Sequence, residues 1–145
     1  MKTFIPNRIR YARQPDGYSC SAMALLNLDK WRGLHVTLKD LPRYKKLCKS
    51  CPVLGTARAA FRKVVGRTGR RFTYEQIKKH PGVFLLETRW PEGGCHHYLV
   101  LGWATDGTHF GWLCVNYWAG YTYTLISPPT MRRNLKHSIG WLFYT

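Results

Sequence analysis

Two kinds of apolar patterning divide this chain, and the change falls at Pro81. Before it, apolar residues recur at helical spacing. Ala22, Met23, Leu25, Leu26 and Leu28 predict a mostly buried helix from Ser19 to about Trp31, with Ser19 as its N-cap and Gly33 ending it. His35-Val36-Thr37-Leu38 leads into a second helix beginning near Lys39 or Asp40. Between residues 54 and 69, Ala57, Ala59, Ala60, Phe61, Val64 and Val65 interleave with basic residues, which predicts an amphipathic helix ended by Gly66 or Gly69. Thr73 is placed to cap a short helix over residues 74–79. His80-Pro81 ends that helix, because proline disfavours helical backbone in the residue before it.

After Pro81 the apolar runs shorten and take on β character. Residues 83–86, 98–103, 109–115 and 121–126 read as strands separated by Gly-rich turns, with Asp106-Gly107 as a hairpin-like turn. A last run, residues 139–144, reads as an edge strand. The first fifteen residues form an irregular arm that reaches the first helix through the turn Pro15-Asp16-Gly17. The expected class is α+β, with N-terminal helices packed on a C-terminal antiparallel sheet. Without repeats or a linker, residues 1–145 read as a single domain.

Composition narrows the function classes. With 45% apolar residues, six Trp, nine Tyr and six Phe, the chain can fill a core, which argues against disorder. No apolar stretch approaches the ~20 residues that span a bilayer. The start, MKTFIPNRIRYARQ, lacks the apolar core of a secretory signal, so the expected setting is the cytoplasm or a particle assembled there, a virion included. Five cysteines are an odd number, and in a reducing compartment they are expected as thiols.

The charge is extreme, with 23 Lys and Arg against 7 Asp and Glu. Twelve of those bases lie between Arg43 and Lys79, where Glu75 is the sole acid. Such a field attracts polyanions, so Arg43, Lys45, Lys46, Arg58, Arg62, Lys63, Arg67, Arg70 and Arg71 are candidate contacts for non-specific nucleic-acid binding. No helix-turn-helix, zinc-finger or RNP signature points to sequence-specific recognition. Five of the six Trp residues fall on the sheet half and the bases cluster on the helical half, which argues against a stacking platform for single strands.

The chemistry gathers around Cys20. A thiol in the first turn of a helix meets the positive end of the helix dipole, which favours the thiolate. His97, at the head of the run His97-Tyr98-Leu99-Val100-Leu101, is a candidate base and acid, with His96 as the alternative imidazole. Asn116 is a candidate to orient His97, and the Gln14 side chain, with the Cys20 backbone N–H, a candidate oxyanion donor. Each has a plainer reading: a small core cysteine, a satisfied histidine at a strand start, a surface glutamine and a turn asparagine. Cys48-Lys-Ser-Cys51 offers half of a tetrahedral zinc site that Cys95 and His96 would complete, although two ordinary thiols at a basic loop is the favoured reading.

Gln14-Pro-Asp-Gly-Tyr-Ser-Cys20-Ser-Ala-Met-Ala, Trp31-Arg-Gly33-Leu-His-Val36-Thr-Leu38, Gly55-Thr56, Pro81-Gly-Val83-Phe-Leu-Leu86, His97-Tyr98 and Asn116 occur in an order that resembles the papain-like cysteine peptidases. Within them the chain is most similar to the compact branch related to the double-glycine-leader peptidases. The resemblance implies a papain-like domain that hydrolyses peptide bonds, or transfers the acyl group to another acceptor, through Cys20, His97, Asn116 and Gln14. It implies a peptide or protein substrate, no cofactor and no metal. Ser21 stands where the family commonly has Gly, and Asn116 where this branch usually has Asp followed by Pro. The rival expectation is a catalytically silent papain-like structural or cargo protein, for example of a phage particle, that binds nucleic acid through its basic surface.

Overall fold

In the computed structural model the described residues are 9–17, 19–48, 61–62, 65–79, 82–91, 94–118 and 120–144. Helix α1 (Cys20–Trp31) follows the predicted apolar run, with Met23, Leu26 and Leu28 wholly buried. Ser19 occupies the N-cap position, but its hydroxyl makes no capping bond. The second helix starts slightly later than its pattern indicates. A 3-10 turn (Leu38–Asp40), closed by a Thr37/Asp40 capping box, precedes α2 (Leu41–Leu47). Pro42 accounts for the boundary, since a proline without an N–H is tolerated in the first turn. Most of the helix expected over 54–69 lies outside the described residues, although Phe61, Arg62 and Val65 have helical backbone. Helix α3 (Tyr74–Lys79) has its cap at Thr73, whose Oγ1 accepts from Gln76 N while Gln76 Oε1 accepts from Thr73 N.

Five antiparallel strands follow: β1 (Gly82–Arg89), β2 (Cys95–Thr105), β3 (Phe110–Val115), β4 (Tyr123–Ile126) and β5 (Ser138–Tyr144). Their order across the sheet is β4-β3-β2-β1-β5, so the last strand lies on an edge. The β2–β3 turn is tied by Asp106 Oδ1, which accepts from Thr108 N and His109 N, and Gly107 supplies the positive φ of 94°. One element has no precursor in the apolar pattern: α4 (Pro128–Leu135), between β4 and β5. Ser127-Pro128-Pro129 resembles a loop, yet Ser127 Oγ accepts from Thr130 N and proline suits a first helical turn.

Side-chain alternation divides the core into two layers. Val83, Leu85, Leu99, Leu101, Val115, Trp141 and Phe143 meet α1 and α2 on one face of the sheet. Phe84, Leu86, Tyr98, Val100, Trp112 and Leu142 meet α3 and α4 on the other. The fold is α+β, with helices on both faces of the sheet rather than the N-terminal ones alone. Among the described residues, no helix is long and apolar enough to cross a membrane.

Candidate active site

The arm before α1 is held by two asparagines. Asn27 of α1, fully buried, accepts from Ala12 N at 2.8 Å and donates to Ala12 O at 3.1 Å. Asn116, just after β3, donates from Nδ2 to the same carbonyl at 2.9 Å and accepts from Gln14 N at 3.1 Å. Beyond the arm, Asp16 folds the loop back, its Oδ1 accepting from Ser19 N at 2.9 Å and its Oδ2 pairing with Lys45 Nζ at 3.3 Å. These contacts set Cys20 as the first residue of α1, half-buried at the open end of the sheet.

Across from it, Cys20 Sγ lies 3.6 Å from His97 Nδ1. The other imidazole nitrogen, His97 Nε2, lies 3.1 Å from Glu87 Oε2. Antiparallel register explains this contact: Glu87 on β1 is directly opposite His97 on β2, so both side chains project from the same face, toward α1. His97 and Glu87 are buried, and the Phe61 ring meets the imidazole edge-on at 4.9 Å. Arg89 Nε, 3.6 Å from Glu87 Oε1, adds a second positive partner at the solvent side of that carboxylate.

The electrostatics follow from this packing. Burial opposes ionisation of Cys20, but hydrogen bonding from His96 and His97, together with their charge, outweighs it and lowers the thiol to about 5. His97 moves the other way: burial favours its neutral form, yet contact with Cys20 and Glu87 wins and raises it above the usual imidazole value. Cys114 is the contrast, with nothing to offset its burial, which pushes that thiol up. A thiol lowered beside an imidazole raised is the signature of a thiolate–imidazolium pair.

Of the four residues singled out from the sequence, Cys20 and His97 meet as expected, whereas Asn116 and Gln14 make other contacts. Cys20 and His97 form the pair. Asn116 does not orient His97: its carboxamide is engaged with Ala12 and Gln14, and Glu87 takes the position on the imidazole. Asn116 has φ of 58°, a left-handed conformation that asparagine tolerates, and its own carbonyl lies 2.6 Å from His96 Nε2. The Gln14 side chain donates to Asp16 O at 2.6 Å, a contact that ties the loop rather than facing the thiol. His96, the alternative imidazole, also favours the Cys20 thiolate, together with His97.

Sequence reasoning passed over Glu87. Its signal was an acid inside the run Val83-Phe-Leu-Leu-Glu87, in a strand otherwise apolar enough to be buried on both faces. Buried carboxylates require partners, and the nearby titratable strand residues were Arg89 and the two histidines. The Cys20 N–H was anticipated as an oxyanion donor, but an uncapped start to α1 was not. With no capping side chain and with the Ser19 hydroxyl buried and unpartnered, the first-turn N–H groups are the donors best placed for a developing oxyanion.

The basic candidates do not gather at this centre. Arg43, Lys45 and Lys46 lie on α2, with Lys45 paired to Asp16 and Arg43 over the Tyr44 ring. Arg62 is exposed. Arg67 donates to Leu142 O and lies over Phe143, Arg70 covers Phe72, and Arg71 donates to Lys136 O at 3.5 Å. Arg58, Lys63 and Cys51 lie outside the described residues. Among the described residues no group of three or more His, Cys, Asp or Glu is arranged to hold a metal ion.

No family model matches the chain, and no curated protein and no solved structure matches it either, so the geometry of this site alone carries the functional argument.

Proposed function

We propose that the chain is a papain-like cysteine peptidase or a related acyltransferase, acting through a Cys20–His97–Glu87 site. The observation that carries the reading is the 3.6 Å contact of Cys20 Sγ with His97 Nδ1, while His97 Nε2 meets the buried Glu87. In this reading the Cys20 thiolate attacks the substrate carbonyl carbon, forming a C–S bond and an oxyanion that first-turn N–H groups of α1 stabilise. His97 gives its proton to the leaving amine as the C–N bond breaks. It then takes a proton from water, which attacks the thioester, releases the acid and restores the thiolate–imidazolium pair. An amine or thiol in place of that water makes the same centre a transferase. Glu87 holds the imidazole and stabilises its charged form throughout.

The test is the rate of Cys20 alkylation by iodoacetamide against pH, followed by peptide mass spectrometry with the other cysteines as controls. At pH 6 a thiol lowered to about 5 is mostly thiolate, whereas an ordinary one near 8.5 is less than about 1% ionised. The lower intrinsic nucleophilicity of the acidic thiolate cancels part of that gain, which leaves an advantage on the order of tenfold. Loss of this advantage in His97→Ala supports the reading. A Cys20 that reacts like the other cysteines sinks it.

A second reading rests on the net charge of +16. In this reading the chain is a structural or cargo protein, for example of a phage particle, holding nucleic acid through the bases of α2 and of residues 62–71. Binding to unrelated DNA sequences that weakens steeply with salt and is unchanged by Cys20→Ser favours it.

A further inference from the structure

We propose that a cavity of about 720 Å3 on the face of the sheet opposite α1 receives an acidic segment of the peptide substrate. The inference rests on the acyl-transfer reading and names a substrate class for it. The cavity lies between α4, the end of β1 and the edge strand β4. Its described walls include the basic residues Arg133 and His137, with Arg89 at the end of β1, and no acid. Trp90, Tyr117 and Trp118 supply aromatic surface, with Trp118 56% exposed although its ring packs on Tyr117. Cationic forks beside exposed indole suit carboxylates carried on a chain with apolar surface.

A chain of ring contacts links this cavity to the surroundings of the thiol. His96, which lowers the Cys20 thiol, stacks on Tyr98 at 5.7 Å, and Tyr98 meets Tyr117 of the cavity wall edge-on at 5.0 Å. An extended occupant is favoured because Thr124, Leu125 and Ile126 of the edge strand line the cavity, and an edge strand presents backbone groups that a peptide can pair.

The test is calorimetric titration of the full chain, native and Cys20→Ala, at about 0.15 M salt to screen its overall charge. The probes are an end-capped peptide rich in Asp and Glu, its Asn/Gln counterpart, and inorganic phosphate. The expected result is binding of the acidic peptide by both proteins, weakened about tenfold by Arg133→Glu and several-fold by Trp118→Ala. Lys39→Glu, the same charge change on the exposed 3-10 turn before α2, shifts affinity less than about twofold. Saturating acidic peptide is also expected to change the rate of Cys20 alkylation in the native chain. Equal weakening by Arg133→Glu and Lys39→Glu overturns the proposal, as does equal affinity for the neutral peptide. Phosphate binding that displaces the peptide assigns the cavity to free anions and overturns it too. Bound peptide without effect on alkylation overturns the link to Cys20 and leaves the peptidase reading standing. An unactivated Cys20 in a chain that still binds the peptide through Arg133 sinks that reading instead.

Discussion

Glu87 takes the contact with His97 that chain order assigns to Asn116, Asn116 holds the N-terminal arm instead, and two substitutions separate those roles. Glu87→Gln keeps the side-chain shape and removes the charge that stabilises the His97 imidazolium. It should move the onset of Cys20 alkylation upward by about one pH unit, as read from the alkylation profile. Asn116→Gly tolerates φ of 58° but deletes both bonds to the arm. It should leave that onset in place while lowering stability by about 1–3 kcal/mol in denaturant unfolding. The reverse pattern would return Asn116 to the role of orienting His97. The pH dependence of stability follows from the same pair. The lowered Cys20 adds stability that is complete above its unfolded value near 8.5 and is lost as pH falls through about 5. The raised His97 adds stability that is complete below its unfolded value near 6.5 and is lost as pH rises through its folded one. The midpoint difference between native chain and Cys20→Ser should therefore shrink as pH falls from about 8.5 to about 5, as followed by urea titration.

Individual elements owe their limits to short-range chemistry, and their placement to close backbone approach. Thr73 and Gln76 cap α3 reciprocally, so Thr73→Ala should cost about 1 kcal/mol, measured as a shift in the urea midpoint with an unchanged m-value. Gly111 of β3 is a different case. A Cβ there would collide with the carbonyl oxygen of Ile126 on β4, a backbone atom that cannot turn aside. Gly111→Ala should cost about 1–3 kcal/mol and disturb the edge pairing, detectable as faster amide exchange in residues 123–126. Because β4 also lines the basic cavity, the same substitution should weaken acidic-peptide binding without altering the alkylation onset of Cys20.

Across the whole molecule the sheet acts as a partition, with the thiol pair on the α1 face and the basic cavity on the α4 face. His96 and Tyr98 of β2, with Tyr117 in the turn after β3, connect the two. Much of this was legible in the chain. The apolar period of 3.6 before Pro81 and the short β-rich runs after it were enough for the α+β class, for α1 and for most strand positions, because burial of one face imposes those periods locally. Cys20 at a helix start and His97 at a strand start were legible for the same reason, since local signals mark where elements begin. Helix α4 was not, because two prolines read alike as a loop and as a helical first turn. The partner of His97 was not legible either. Which acid or amide reaches His97 depends on strand register, and a shift of one residue would turn Glu87 to the opposite face. Register is settled by packing summed over the entire sheet, so the sequence by itself determined most of the elements and placed Cys20 and His97 at the starts of two of them. The tertiary structure alone decided that a carboxylate from β1 holds the imidazole, and that basic and aromatic side chains distant in the chain surround one cavity.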